Sequence, residues 1–217
     1  ITNYRFEPSE NCKTVELNFC VDYSMYITFN SINEVINRTL EILNLTQLDY
    51  SIANGLAYDV NFKVKRYYMI TCLNCNYWPS TGDITTNFNN FTNFSYYSNM
   101  FDYASDIRVF WQNEFTVSGG TINGIGTQPS NGICIDDPLI TVRQSALKNY
   151  PTATNSTRKT LSHEIGHNFS SGHISPSDNI MAACCYFGNA WNPSTISLIN
   201  HRLQNSNCFI DCSADSC

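Results

Sequence analysis

Three of the chain's four histidines fall within eleven residues, in the run L-S-H-E-I-G-H-N-F-S-S-G-H from Leu161 to His173. That density constrains the fold more than any other feature, because the chain must bring three imidazoles together. On a helix, Leu161, Ile165 and Phe169 recur at four-residue spacing along one stripe, and His163 and His167 along another about 200° away. One side can be buried while the other holds a metal ion. Glu164 precedes His167 by three positions, so its carboxylate flanks the imidazole pair and can reach a metal-held water without being a ligand, as hydrolysis requires.

His173 lies six residues beyond His167, which in a continuous helix is about 9 Å along the axis and on the wrong side. The helix must therefore end near Asn168 to Gly172 and turn back. His173 then becomes a third ligand and leaves the fourth tetrahedral position of a Zn2+ ion open, the mark of a catalytic site. An H-E-x-x-H match alone arises by chance often enough to mean little, and the alternative is an ordinary amphipathic helix with exposed histidines. The third histidine makes the zinc reading specific.

Extended to Met181, the segment resembles the metzincin zinc proteases, and its wider context is similar to the ADAM and adamalysin (reprolysin) type, closest to the alpha-secretase-like ADAM sheddases. The likeness is carried by Asn131-Gly132-Ile133-Cys134, His163 to Phe169, Asn179-Ile180-Met181 and Asn207-Cys208-Phe209 in order. It implies an α/β metzincin fold: a twisted, mostly parallel five-stranded sheet with long helices and a small C-terminal subdomain after the zinc motif. Residues 1–173 would form the upper subdomain with the zinc helix, and 174–217 the lower one. The resemblance makes Met181 an apolar floor beneath the histidines, Ala182 to Trp191 a pocket wall, and Cys134–Cys208 a disulfide. It also places Gly124 and Ile125 on a sheet edge above the cleft, where an extended substrate can pair with the main chain. A plain hairpin is the other reading of those glycines.

Two positions depart from the family pattern. Ser170 stands where the motif has glycine, and Ile174 where adamalysins have aspartate. A non-glycine residue at positive φ costs about 1–2 kcal/mol, so either the turn shifts to Gly172 or Ser170 is strained.

At 217 residues and 42% hydrophobic, the chain can bury a sizeable core, as one domain or two lobes around a cleft. It contains no apolar run near the roughly 20 residues of a membrane helix and starts with no targeting pattern, so a soluble, mature and monomeric chain is expected. A formal net charge of -6 with scattered basic residues excludes nucleic acid as a partner and leaves a protein or peptide substrate. Ten cysteines suit up to five disulfides in a secreted or extracellular protein, and Cys72-x-x-Cys75 and Cys184-Cys185 are read as disulfides rather than as a second metal or redox site. Sequons at Asn37, Asn44, Asn90, Asn93 and Asn155 mark expected glycosylation. The one at Asn168 sits inside the zinc segment and is expected to stay unused.

Along the chain, Val15, Leu17, Phe19 and Val21 alternate as a strand, and Ser31 to Glu34 has the form of a capping box. Behind it, Ile32, Val35, Ile36, Leu40 and Leu43 predict a helix to about Leu48. Val60, Phe62 and Val64 open a second strand, which implies a parallel crossover. Residues 73 to 99 read as a decorated surface insertion with a short helix near its end, or a protein-binding aromatic patch. Strands are expected at Ile107 to Gln112, Ser118 to Gly126 and Leu139 to Val142. Asn155-Ser156-Thr157 is expected to cap the zinc helix, and Pro193 to open a final helix with Ile196, Ile199 and Leu203 inward and His201 on the surface. The function these residues predict is zinc-dependent endoproteolysis with Glu164 as general base. The alternative is a non-catalytic zinc-fold module acting by adhesion or sequestration, a reading that the intact Glu164 opposes.

Overall fold

The computed structural model describes residues 9–75, 83–97, 105–113, 124–129, 133, 144–150, 152–175, 178–183 and 188–212. Val15, Leu17, Phe19 and Val21 on one face of β1 (Cys12–Val21) and Asn18 and Cys20 on the other are all buried. A strand covered on both sides belongs at the centre of a sheet. β1 pairs in parallel with β2 (Asp59–Met69) and β3 (Ile107–Gln112), β3 pairs in parallel with β5 (Gln144–Lys148), and β4 (Gly124–Gly126) runs antiparallel to β5. The sheet is mostly parallel, in the order β2-β1-β3-β5-β4, and has six strands rather than the expected five, because a short β6 (Ile210–Asp211) pairs antiparallel with the start of β1.

Between the first strands lie α1 (Tyr23–Phe29) and α2 (Ile32–Asp49), the latter capped by Ser31, whose hydroxyl accepts from Glu34 N at 3.5 Å. The inward face of α2 is Val35, Thr39, Ile42, Leu43 and Thr46. This corrects the expected stripe: Ile32 is 50% and Leu40 40% exposed, because the face is set by what α2 packs against rather than by where its aliphatic residues fall. The inner core joins these residues to the β1 side chains, to α4 (Thr154–Asn168), and to Ile199 and Leu203 of α5 (Pro193–Asn205). α5 opens as expected, with Pro193 at its start and Asn192 accepting from Ser194 N at 2.9 Å.

The segment read as a surface insertion holds a packed helix, α3 (Ile84–Tyr97). Its Ile84, Phe88 and Phe91 close a second core with Cys20, Ile70, Phe110 and Ala146 on the other face of the sheet. Two further expectations change. The zinc helix starts at Thr154 after Ala153, which offers no side-chain cap. Asn155 is exposed in the first turn, and Thr157 Oγ1, one turn in, accepts from Tyr150 N at 2.9 Å. Cys20 is a free, buried thiol, so the ten cysteines cannot all pair among themselves. Cys12–Cys212 and Cys72–Cys75 are disulfides. The expected strand at 139–142 and residues 118–123 lie outside the described residues. Among the described residues no helix is long and apolar enough to cross a membrane.

Candidate metal centre

The site is built on α4, which leans on α2 through buried polar bonds. The Tyr50 hydroxyl donates to Ser162 O at 2.7 Å, Arg158 pairs with Asp49 at 2.6 and 3.1 Å, and Ser162 Oγ donates to Asp49 Oδ2 at 2.5 Å. At the start of the helix Arg38, itself buried, donates to Thr154 Oγ1 and Tyr150 O. None of these tethers was expected from sequence, since each joins residues more than a hundred positions apart.

The predicted histidines converge. His163 Nδ1 lies 2.7 Å from Ile180 O, and His167 Nδ1 2.7 Å from Ser171 O. A carbonyl only accepts, so both Nδ1 atoms carry the proton and both Nε2 atoms present lone pairs. His173 Nε2 lies 3.2 Å from each of them. Three ligand nitrogens about 2.0–2.1 Å from a tetrahedral zinc stand roughly 3.3 Å apart, so this donor set fits the ion, and bare lone pairs at that spacing repel without a cation between them. Burial, first of all, depresses the pKa values of His163 and of His167, the latter to about 4, which keeps both imidazoles in the neutral, ligating form.

The helix ends where the third histidine requires. Ser170 N bonds His167 O at 2.7 Å and Ser171 N bonds Gly166 O at 3.1 Å, the paired closure that ends a helix with a left-handed residue. That residue is Ser170, at φ 74°. The strained serine is therefore what the structure adopts, and the turn does not shift to Gly172. The next chain segment is then tied beneath the site: Ile174 N bonds Met181 O at 2.8 Å. Met181 is fully buried against the helix at Gly166, where a Cβ would fall 2.5 Å from its Sδ.

Glu164 is 5% exposed, with β4 laid against it. A Cβ on Gly124 would collide with the Glu164 carboxylate, and one on Gly126 would fall 2.6 Å from Glu164 O and 2.9 Å from His167 Cβ. Gly124 is thus at the site, whereas Ile125 packs toward the α3 core. Burial pushes the Glu164 carboxyl well above the usual carboxylate range. Asn168 is wholly buried, accepting from Ser145 Oγ at 2.8 Å and donating to Thr127 O at 2.9 Å, which bars a glycan as expected. Asn37, Asn44, Asn93 and Asn155 are exposed and Asn90 is half-buried. Cys208 is disulfide-bonded; Cys134 and residues 184–187 of the expected pocket wall lie outside the described residues. Gly126 and Gly166 were missed from sequence, where nothing distinguishes them from other glycines.

A helix with two histidines, a returning third and a buried carboxylate beneath a sheet edge defines a class of metal-dependent hydrolase. The reprolysin-type profile of metallo-peptidase family M12 matches residues 11–206, and the chain belongs to that family. No curated protein matches the sequence. In fold the chain is similar to a solved chain described as "Structure of a chaperone-substrate complex", with a TM-score of 0.62 and 15% identity over 89% of this chain and 34% of that one. The present chain therefore spans about a third of the length of that one.

Proposed function

We propose that the chain is a secreted or cell-surface zinc metalloendopeptidase of the metzincin kind, nearest in character to the ADAM sheddases and acting as a monomer. The observation that carries the reading is the approach of three histidine Nε2 atoms to 3.2 Å, two of which, in His163 and His167, are left as bare lone pairs by the carbonyl partners at Nδ1. His163, His167 and His173 would hold one Zn2+. When bound, the ion supplies Lewis acidity that polarises a peptide carbonyl and acidifies water. Glu164 is the general base that takes the water's proton and returns it to the leaving amine. Its burial raises its proton affinity, which suits a group that must do both.

Met181 is the floor under the helix. Gly124 and Ile125 offer main-chain groups of an edge strand to an extended peptide, and residues 1–173 and 174–217 form the two sides of the cleft. Cys12–Cys212 and Cys72–Cys75 support an oxidising compartment. The test is cleavage of a fluorogenic peptide library by the wild-type chain and by Glu164→Ala, with the zinc content of each. Cleavage by wild type alone, with about one zinc in both, is the expected result. Zinc in both with cleavage by neither would favour the non-catalytic binding module.

A further inference from the structure

The turn that ends α4 makes two bonds that the metal centre does not use. The Ser170 hydroxyl donates to Pro129 O at 2.5 Å, and the Ser170 carbonyl accepts from Gln128 Nε2 at 3.0 Å. Asn168 holds the preceding residue, donating to Thr127 O at 2.9 Å. Thr127, Gln128 and Pro129 follow directly on β4, which has three residues and lies flush on the Glu164 carboxylate. So short a strand has little pairing of its own to fix its height above the helix. A glycine at this turn would reach φ 74° without strain, but it has no hydroxyl with which to hold Pro129. The serine accepts an unfavourable backbone conformation and makes a bond that the favourable residue cannot.

We propose that Ser170 is a positioning residue: by holding the segment after β4, it sets the distance of the edge strand over Glu164 and hence the affinity for an extended peptide. The inference rests on the proteolytic reading above and assigns to one turn residue the control of substrate affinity.

Two substitutions in the full, zinc-loaded chain separate the hydroxyl from the strain. Ser170→Gly removes both and Ser170→Ala removes only the hydroxyl. Peptide kinetics, zinc content, Tm and amide hydrogen exchange at Ile125, Gly126 and Thr127 are measured for each. KM is expected to rise about three- to tenfold in both, the worth of one hydrogen bond, with kcat within about twofold, zinc unchanged and β4 exchange faster. Tm is expected to hold or rise in Ser170→Gly and to fall in Ser170→Ala, so KM follows the hydroxyl while Tm follows φ. Wild-type KM and exchange in Ser170→Gly would overturn the proposal, as would a KM raised only in the less stable variant. If the wild-type chain cleaves no peptide, the proteolytic reading fails by itself, and β4 exchange alone decides. Faster exchange in both variants then upholds the positioning role, and unchanged exchange rejects it.

Discussion

Two carboxylates beside α4 are buried to nearly the same degree, Asp49 at 3% and Glu164 at 5% exposure, and their surroundings are opposite. Asp49, on the α2 flank, accepts two bonds from Arg158 and one from Ser162, while its main-chain carbonyl accepts from Trp191 Nε1 at 2.7 Å. Burial raises its pKa, and Ser162 and Arg158 pull it back. The Glu164 carboxylate, on the cleft side, has no hydrogen-bond or ion-pair partner among the described residues, and burial alone raises its pKa. Beside it stand two imidazoles with unshared lone pairs. A buried polar group with every partner in place stabilises a fold; one held without partners is a cost that function explains. One helix thus has a structural flank and a chemical one.

The largest expected effect breaks the chemical flank alone. Glu164→Gln should lower kcat by about 10²- to 10⁴-fold, the range of general acid–base catalysis, while Tm holds or rises, because an unpartnered carboxyl no longer has to be buried. Arg158→Met is its mirror image. It leaves Asp49 buried without its cation, and since the side chains are 17% and 4% exposed, the cost falls at the low end for broken buried pairs, about 3 kcal/mol. Urea denaturation measures that loss, and the folded fraction should keep its kcat. Were Arg158→Met inactive when fully folded, or Glu164→Gln merely less stable, the distinction between the flanks would collapse.

A pH series sharpens the same contrast in the metal-free chain. Burial lowers the pKa of folded His167 to about 4, against about 6.5 for a free histidine. Between those values the unfolded chain therefore binds more protons, and stability must fall as pH drops through that window. The buried carboxyls act in reverse. With folded pKa values above the unfolded ones, Glu164, Asp22 and Asp49 disfavour folding as pH rises from about 4. Subtracting the profile of His167→Asn from that of the wild type, both stripped with EDTA, cancels the carboxyl contributions. The remainder should lose on the order of 2 kcal/mol between pH 6.5 and 4. A flat difference would mean that His167 is not buried in the metal-free chain.

The chemical flank was far more legible in sequence than the structural one, for a physical reason. Four-residue spacing on a helix places His163 and His167 together whatever surrounds them, and the return of His173 follows from helix geometry. Asp49 and Arg158 are 109 positions apart, and no local pattern pairs them. The helix Ile84–Tyr97 did carry an apolar period in Ile84, Phe88 and Phe91, hidden by Asn and Thr at the other positions. Gln144–Lys148, with no β-branched residue, reads as nothing in particular until β3 and β4 bracket it. At Ser170 the sequence left two outcomes open, and the bond to Pro129 accounts for the strained one.

Gly166 lies between the two flanks, and the smallest expected effect tests which of them the segment around Met181 belongs to. A Cβ there would fall 2.5 Å from Met181 Sδ and 3.3 Å from Trp191 Cζ3. Overpacking of this kind costs about 1–3 kcal/mol, and replacing a mid-helix glycine by alanine returns about 1 kcal/mol of it. Gly166→Ala should therefore destabilise the chain by about 0–2 kcal/mol, a small shift in a urea melt. Zinc affinity should fall more than this suggests. The neighbouring Ile180 carbonyl orients His163, and Met181 O anchors the segment that carries His173. A methionine pushed from the helix thus moves both histidines. Competition with a chelator of known affinity measures the loss, expected to be severalfold. Adding Met181→Ala makes room for the new methyl group, so zinc affinity should recover even as the cavity lowers stability further. Zinc binding that instead tracks stability through both variants would place the segment around Met181 on the structural side, as a part of the core that happens to lie under the histidines.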